Sequence, residues 1–371
     1  MKQPAVTPPL TEYLYRKATA AGVPLSGTFE LTPVCNMDCK MCYVRMSRET
    51  QESIAPLRTG HQWLELGRRA KEAGMLYLLL TGGEPFLHPD FRQIMEGLHK
   101  LGLLISINSN GTLIDESTVA WLKDCPPVRI NISLYGTDDE TYHRLCGNPQ
   151  GFTQTTRAIR LLQEAGIPVK LNCSLTPYNA PQLEQMIAFA KENNLHIQVA
   201  SYMFPPVRKD AAATGSNFRL TPEEAAWYMA YSQYLLVGRD RFLEEGCEIV
   251  DVSDPNETCA ELGDGSRCRA GRCSFWITWQ GDMTPCGMFP ADTAPNVFTQ
   301  EFSAAWEAVK AYTAGIRLPA PCSTCSAKDT CRACAAMVLS ESGNFEKVPQ
   351  YRCAMTRAYP GQWQHLKEEI L

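Results

Sequence analysis

From Gly27 onward the chain alternates short apolar runs with amphipathic stretches. The runs fall at 28–34, 75–80, 103–108, 128–134, 169–175 and 196–200. Between them, 61–73, 90–101, 116–124, 152–165 and 181–193 carry apolar residues at helical spacing. Gly74, Gly102, Gly166 and Asn194 stand where these helices should stop, because glycine and asparagine accept the left-handed conformation that closes a helix. Strand and helix alternating at this pitch predict βαβ units and a parallel sheet. Such crossovers are right-handed, so six in a row curl into a barrel or part of one. A complete eight-fold barrel takes about 250 residues. Residues 27–204 supply six units, so the expected fold is an α/β, partial (β/α)6 TIM-like barrel, open on one side. Its site should lie at the C-terminal ends of the strands.

The rest of the chain has a different texture. Residues 1–26 are Pro-rich and weakly helical around 10–21, too short for a folded recognition domain. A bridging helix is expected from Pro222, with Thr221 as its N-cap, to Leu243. Alternation over 275–279, followed by Gln280-Gly281-Asp282, predicts a hairpin. The expected organisation is an extension over 1–26, the barrel over 27–215, a bridging region over 216–259, a small cysteine-rich domain over 260–355 and a C-terminal helix over 356–371.

With 371 residues, 44% of them hydrophobic, the chain can bury a large core. A net charge of −5 and no basic stripe argue against nucleic acid as partner. No apolar run is long enough to span a membrane, and no signal-peptide core precedes Gly27, so a cytoplasmic location is expected. Sixteen cysteines are many for such a chain, and nine of them lie between Cys259 and Cys353. Cytosolic thiols stay reduced, so metal ligation is the economical account.

Cys35, Cys39 and Cys42, spaced C-x3-C-x2-C, follow the first apolar run. A loop of this length can fold three sulfurs onto one centre, and iron–sulfur clusters are held at short loop spacings. A four-iron cube normally takes four thiolates, so one iron would be open to another ligand. A zinc knuckle with a distant fourth cysteine is the competing reading. Each later strand also ends in a polar signature. These are Thr81-Gly82-Gly83-Glu84-Pro85, Asn108-Ser109-Asn110-Gly111, Ser133-Leu134-Tyr135-Gly136, 173–177 and Tyr202-Met203-Phe204.

The cysteine spacing followed by Gly82-Gly83-Glu84 at the next strand end resembles the radical S-adenosylmethionine (radical SAM) enzymes. The resemblance implies that the amino acid end of SAM chelates the open iron. It implies that the 82–84 backbone accepts hydrogen bonds from the SAM amino group, and that Tyr43 flanks the adenine. Ser109, Asn110 and Ser133 fall where the family holds the ribose hydroxyls and the carboxylate. Arg144 matches the arginine that pairs with that carboxylate, a task suited to a planar guanidinium. The position before Cys42 is often aromatic in the family and is Met41 here, whose thioether can still cover the cluster. The implied chemistry is one-electron reduction of bound SAM to methionine and a 5′-deoxyadenosyl radical, which removes a substrate hydrogen. A flavodoxin, ferredoxin or reductase would supply the electron.

The last third resembles the SPASM extension of that family. Cys268-x12-Gly281-x4-Cys286 fits its first part, and Cys322-x2-Cys325-x5-Cys331-x2-Cys334 followed by Cys353 fits its second, with x2 where the family has x3. The resemblance implies two auxiliary 4Fe-4S clusters, one on Cys268, Cys273, Cys286 and Cys334, the other on Cys322, Cys325, Cys331 and Cys353. The short spacing leaves the division of Cys331 and Cys334 open. Cys273 lies outside the core pattern, and without it the first auxiliary cluster would have an open iron. Cys125, Cys146, Cys173, Cys247 and Cys259 have no assigned role and default to small buried residues. Members of this class mostly act on peptides and proteins, so oxidative maturation of a ribosomally made peptide, such as a crosslink, is expected. With 26 residues ahead of the barrel, a peptide substrate would need a separate leader-recognition protein, or none. The sulfatase-maturing branch carries an Asp after the cysteine matching Cys286; Gly287 stands there instead. Peptide epimerisation and modification of a small molecule or tetrapyrrole stay open. So does a non-enzyme alternative, an electron-transfer or zinc protein. Tyr202, Met203 and Arg208 are candidates for the substrate side, or for core packing.

Overall fold

The computed structural model describes residues 9–206, 218–244, 268–327 and 331–371. Six parallel strands form the body: β1 (Ser26–Glu30), β2 (Tyr77–Thr81), β3 (Leu104–Ser109), β4 (Arg129–Ser133), β5 (Val169–Ser174) and β6 (His196–Ala200). Before β1 comes α1 (Leu10–Ala21). Between the strands run α2 (Arg48–Ile54), α3 (Gly60–Glu72), α4 (Phe91–Lys100), α5 (Glu116–Leu122), α6 (Asp139–Cys146), α7 (Gly151–Glu164) and α8 (Leu183–Glu192). The helices start where side chains cap them. Thr59 and Gln62 make a reciprocal capping box for α3, and Asp115 and Asp138 accept backbone N–H bonds at the starts of α5 and α6.

Each strand has two chemically different faces, as its period of two requires. Phe29, Leu78, Leu80, Ile105, Ile107, Ile130, Ile132, Leu171 and Ile197 are buried against Trp63, Leu66, Ile94, Leu98, Ile159 and Met186 of the surrounding helices. The opposite face carries Thr28, Ser106, Asn108, Arg129, Asn131, Lys170, Asn172 and Gln198, which line a lumen of about 570 Å³. The apolar set makes the core. The polar set leaves the concave side a cavity rather than a packed interior.

The C-terminal third joins this sheet directly. After α9 (Pro222–Val237), which Gly238 ends at φ +86°, and α10 (Arg239–Glu244), the chain forms β7 (Ser274–Ile277) and β8 (Met283–Thr284). β7 pairs parallel to β1, with Ser26 opposite Ser274 and Thr28 opposite Trp276, and antiparallel to β8. The sheet order is β6-β5-β4-β3-β2-β1-β7-β8. The sequence predicts the hairpin but not its partner. Among the described residues the chain then forms α11 (Phe302–Gly315), α12 (Ala320–Ser323), α13 (Ala335–Ser342) and α14 (Gln350–Ile370). The last begins earlier than the expected 356 and so carries Cys353. It packs along α9, where Tyr359 donates to Gln233 at 2.7 Å.

Candidate active site

The cysteine loop leaves β1 and returns to its own stem. Val34 and Met46 form a parallel bridge, and the Met46 N–H donates to the Pro33 carbonyl at 2.9 Å. The stem, 31–34, is gripped by the glycine turn after β2. Gly83 donates to the Thr32 carbonyl at 2.7 Å and Glu84 to the Val34 carbonyl at 2.9 Å. A Cβ on Gly82 would meet the Thr32 oxygen at 2.4 Å, and one on Gly83 the Val34 oxygen at 2.5 Å. Only glycine allows this approach of two main chains. On its other side the loop is tied to α6, with Asp38 donating to the Cys146 carbonyl and Lys40 to the Leu145 carbonyl.

Inside this frame the sulfurs receive hydrogen bonds. The Met37 N–H donates to Cys35 Sγ at 3.4 Å, the Arg45 N–H to Cys42 Sγ at 3.3 Å, and Asn110 Nδ2 to Cys35 Sγ at 3.7 Å. Donors aimed at sulfur favour its thiolate form and tune an iron–sulfur centre. Met37, Tyr142, Leu145 and Cys146 make a buried apolar wall, against which Cys35, Cys39, Met41, Tyr135 and Tyr178 pack. Burial first, then the Glu84 charge, pushes the Cys35 thiol up to about 12. A bare thiolate is disfavoured there, and binding iron would release its proton. Among the described residues, no three Cys, His, Asp or Glu side chains close around a single-ion site. Three thiols on one short loop, with N–H donors aimed at their sulfurs, are a donor set that suits an iron–sulfur cluster.

Glu84 is fully buried. Its carboxylate accepts from Ser109 Oγ at 2.9 Å, the Asn110 N–H at 2.8 Å and the Phe86 N–H at 3.3 Å. Burial still raises its pKa to about 7 against those bonds. Ser109 in turn accepts from the Gly111 N–H, so its hydroxyl is engaged in pinning the β3 turn to the β2 turn. Asn110 reaches the cysteine loop: its Nδ2 donates to Asn36 Oδ1 at 2.9 Å, and Asn36 donates to Thr112 at 2.8 Å. The Ser133 carbonyl accepts from the buried Tyr142 hydroxyl at 3.3 Å. Tyr43 is half-buried. Arg144 lies on the exposed face of α6, 3.8 Å from Glu140, beside a recess of about 340 Å³ that it lines with Asp38, Cys39, Lys40 and Phe218. Asn36, Thr112 and Tyr142 are participants that the sequence did not single out. Asn36, inside the cysteine spacing, was the one with a readable signal.

Among the C-terminal cysteines, burial raises the Cys353 thiol, and so do the charges of Cys331, Cys322 and Cys325. Thr356 donates to Cys331 Sγ at 3.6 Å. Burial raises Cys334 to about 11, and Cys268 adds to the rise. Cys286 and Cys334 pack on one apolar cluster with Phe289, Ile316, Ala335 and Ala336. Cys286 also lines the lumen beside Trp276, whose Nε1 donates to the buried Glu30 at 3.1 Å. Cys273 is placed differently. It is fully buried among Ala18, Leu25, Tyr15 and Tyr77, with Thr19 Oγ1 donating to its sulfur at 3.1 Å. Cys125, Cys146 and Cys173 are buried; Cys247, Cys259 and Arg208 lie outside the described residues.

Tyr202 does not border the lumen. Its hydroxyl donates to Glu341 at 2.5 Å, and Glu341 also accepts from Arg219 at 3.2 Å and from the Arg352 N–H at 3.3 Å. Arg219 stacks on Tyr351 at 3.7 Å. This hub ties the exit of β6 to α13 and α14. Met203 is half-buried. Among the described residues, no helix is long and apolar enough to cross a membrane.

Known proteins share both the sequence pattern and the fold. Residues 29–190 match the model of the radical SAM superfamily. The chain is 24% identical over 338 residues to an AdoMet-dependent heme synthase of Methanosarcina barkeri, covering 87% of this chain and 94% of that protein. It is 25% identical over 282 residues to the subtilosin biosynthesis protein AlbA of Bacillus subtilis, covering 76% of this chain and 59% of that one. Among solved structures it is similar to Streptococcus suis SuiB bound to S-adenosylmethionine, with a TM-score of 0.65 and 21% identity over 91% of this chain and 79% of that one. It is also similar to anSMEcpe with bound AdoMet, with a TM-score of 0.69 and 19% identity over 94% and 99% of the two chains. These likenesses extend through the cysteine-rich third, giving a partial barrel followed by a SPASM-type region. With its cysteine loop gripped by a glycine turn at the mouth of a polar half-barrel, the chain belongs to the radical SAM superfamily and is an enzyme that uses a 4Fe-4S cluster and SAM.

Proposed function

We propose that Cys35, Cys39 and Cys42 hold the SAM-binding cluster and that the C-terminal cysteines hold two auxiliary clusters, in an enzyme that oxidatively modifies a ribosomally made peptide. The observation that carries this reading is the position of Cys286. It lies on the wall of the lumen that β1 borders, and the C-terminal end of β1 leads into the cysteine loop, so a substrate in the lumen would lie between the two ends of the reaction. When bound, the clusters and SAM supply the hydrogen-abstracting radical and a route out for the second electron.

The chain's own residues supply placement. Gly82, Gly83 and Glu84 present the backbone toward SAM's amino group, Asn110 positions the Cys35 sulfur, and Tyr43 and Met41 cover the adenine side. Arg144, which lines the same recess as Cys39, is a cation available to the SAM carboxylate. Met37, Tyr142 and Leu145 keep water from the cluster's inner side. The matched structures include SuiB with its precursor peptide and anSMEcpe with a peptide, which supports a peptide partner. An external flavodoxin, ferredoxin or reductase is the electron source in this reading.

The near full-length similarity to heme synthases supports a second reading, modification of a tetrapyrrole. Lys170 and Arg129 in the lumen suit its carboxylates. The test is anaerobic reconstitution, then SAM and dithionite with either a peptide encoded beside the gene or a tetrapyrrole. About twelve irons per chain, at four per cube, are expected, with 5′-deoxyadenosine release and a peptide lighter by two hydrogens. Turnover of the tetrapyrrole alone would replace the peptide reading. No 5′-deoxyadenosine with either would end both.

A further inference from the structure

The lumen carries positive charge low on its wall, away from the cysteine loop. Arg129 is the first residue of β4 and Lys170 the second of β5, and both line the cavity. Arg269, stacked on Tyr15 at 3.6 Å, adds a third cation to the lining. From Arg129 and from Lys170 the strands run on to Ser133 and Ser174, about 13 Å at roughly 3.3 Å per residue. The glycine turn, Asn110 and the cysteine loop stand beyond such strand ends. Lys170 is 6% exposed, and its Nζ donates to Gln198 Oε1 at 2.6 Å; lysine is seldom buried this far. Asn131 lies beside Lys170 in the sheet register, and Asn172 follows on β5, opposite Gln198. Both asparagines line the lumen. Asn131 is 7% exposed, and its Nδ2 donates to Asn108 at 2.7 Å. The Oδ1 atoms of Asn131 and Asn172 are buried with no hydrogen-bond partner among the described residues. An unfilled buried acceptor destabilises the fold, and a ligand N–H would fill it.

We propose that this part of the lumen binds an acidic side chain of the substrate peptide, Asp or Glu. Lys170 and Arg129 take the carboxylate, and Asn131 and Asn172 accept main-chain N–H groups beside it. The inference rests on the peptide reading above and names the feature of the peptide that the enzyme selects. The two acceptors are what favour a peptide. Both cations would suit the carboxylates of a tetrapyrrole equally, but N–H donors next to a carboxylate belong to a peptide main chain and not to a tetrapyrrole's rim. The carboxylate is a handle rather than the reacting group, because the glycine turn, Asn110 and the cysteine loop, which face SAM in that reading, lie beyond the far ends of the strands. An extended chain covers about 3.3–3.6 Å per residue, so a rise of about 13 Å puts the modified residue about four positions from the acid.

The test is equilibrium binding to the reconstituted full chain with SAM, read by anaerobic calorimetry. The probes are acetyl-Gly-Gly-Glu-Gly-Gly-amide, its Gln counterpart, acetyl-pentaglycine with a free C-terminal carboxylate, and a porphyrin bearing propionates. The glutamate peptide should bind about ten- to a hundredfold more tightly than the glutamine peptide. Lys170→Met and Arg129→Met should each reduce that preference and leave the affinity of the glutamine peptide unchanged, whereas a merely structural defect would weaken both peptides. Circular dichroism confirms folding of each variant. Equal binding of the two peptides by the unmodified chain overturns the inference alone and needs no variant. So does a preference that both variants keep. Tighter binding of the pentaglycine acid than of the glutamate peptide would assign the cations to a chain terminus and overturn it as well. No binding by the glutamate peptide overturns it too; if the porphyrin then binds, the peptide reading falls with it.

Discussion

Gly83→Ala should uncouple the glycine turn from the cysteine loop. The new Cβ would fall 2.5 Å from the Val34 oxygen and 2.6 Å from the Pro33 oxygen. Both are main-chain atoms of the stem just before Cys35, so no side chain can rotate to make room. Gly83 has no positive φ, so the effect is steric rather than conformational. Overpacking of this kind costs about 1–3 kcal/mol. Separating the two main chains also breaks the bonds to the Thr32 and Val34 carbonyls, at about 1 kcal/mol each. The total, about 3–5 kcal/mol, is a large part of a typical stability of 5–15 kcal/mol. If SAM binding must restore the stem, that cost appears as a loss of affinity of about a hundredfold or more. The assay is anaerobic equilibrium dialysis with SAM, alongside iron content and thermal unfolding. Gly361→Ala is the control. It lies in α14 with nothing within 4 Å of its Cβ, and should gain about 0.5–1 kcal/mol. SAM affinity within about threefold of wild type, with the cluster retained, would refute the steric account.

Glu84 gives a pH signature. Its folded pKa of about 7 exceeds the ordinary glutamate value of about 4.3, so the folded chain binds the extra proton between the two. Its contribution is therefore complete below about pH 4.3 and is lost as pH rises through 7, by about 4 kcal/mol in all. Urea unfolding of wild type should show this fall and Glu84→Gln should not; parallel profiles would count against it. Replacing Cys35, Cys39 and Cys42 with Ala should remove about a third of the iron, one cube of three, and abolish 5′-deoxyadenosine formation. Surviving SAM cleavage would mean that another site starts the radical. Glu341→Gln leaves Arg219 without its carboxylate in a site where the Glu341 side chain is 4% exposed. It should cost about 3 kcal/mol, read as a lower denaturation midpoint; an unchanged midpoint would show that stacking on Tyr351 alone holds the hub.

All six barrel strands were legible, because each pairs an apolar outer face with turn residues at its ends. The end of the first was not. The apolar run continues to Val34, but the strand ladder stops at Glu30, since 32–34 meet the glycine turn instead of a neighbouring strand. α6 was missed as an element: it has eight residues and opens on Asp139 and Glu140, too short for an apolar stripe, although Asp138 is a readable cap. The motif Gly82-Gly83-Glu84 was visible, but not that the Glu84 carboxylate turns inward to Ser109 and Asn110. That orientation depends on a turn one strand away. The pairing of β7 with β1 joins residues some 248 apart, as in Ser26 with Ser274, and no local pattern encodes a pairing of that reach.

The bond between β1 and β7 has a consequence for modularity. Without β7, one side of β1 would present a row of unpaired N–H and C=O groups immediately ahead of the cysteine loop. Such a row is a template for strand addition by another copy. The barrel is therefore not a cassette that can be cut free of the cysteine-rich third. A fragment ending before β7 should self-associate through β1, and a graft of this SPASM-type region onto another barrel must bring a strand that matches the recipient's first. Exchange between relatives is constrained at that seam by backbone register, even where every side chain around it is free to vary.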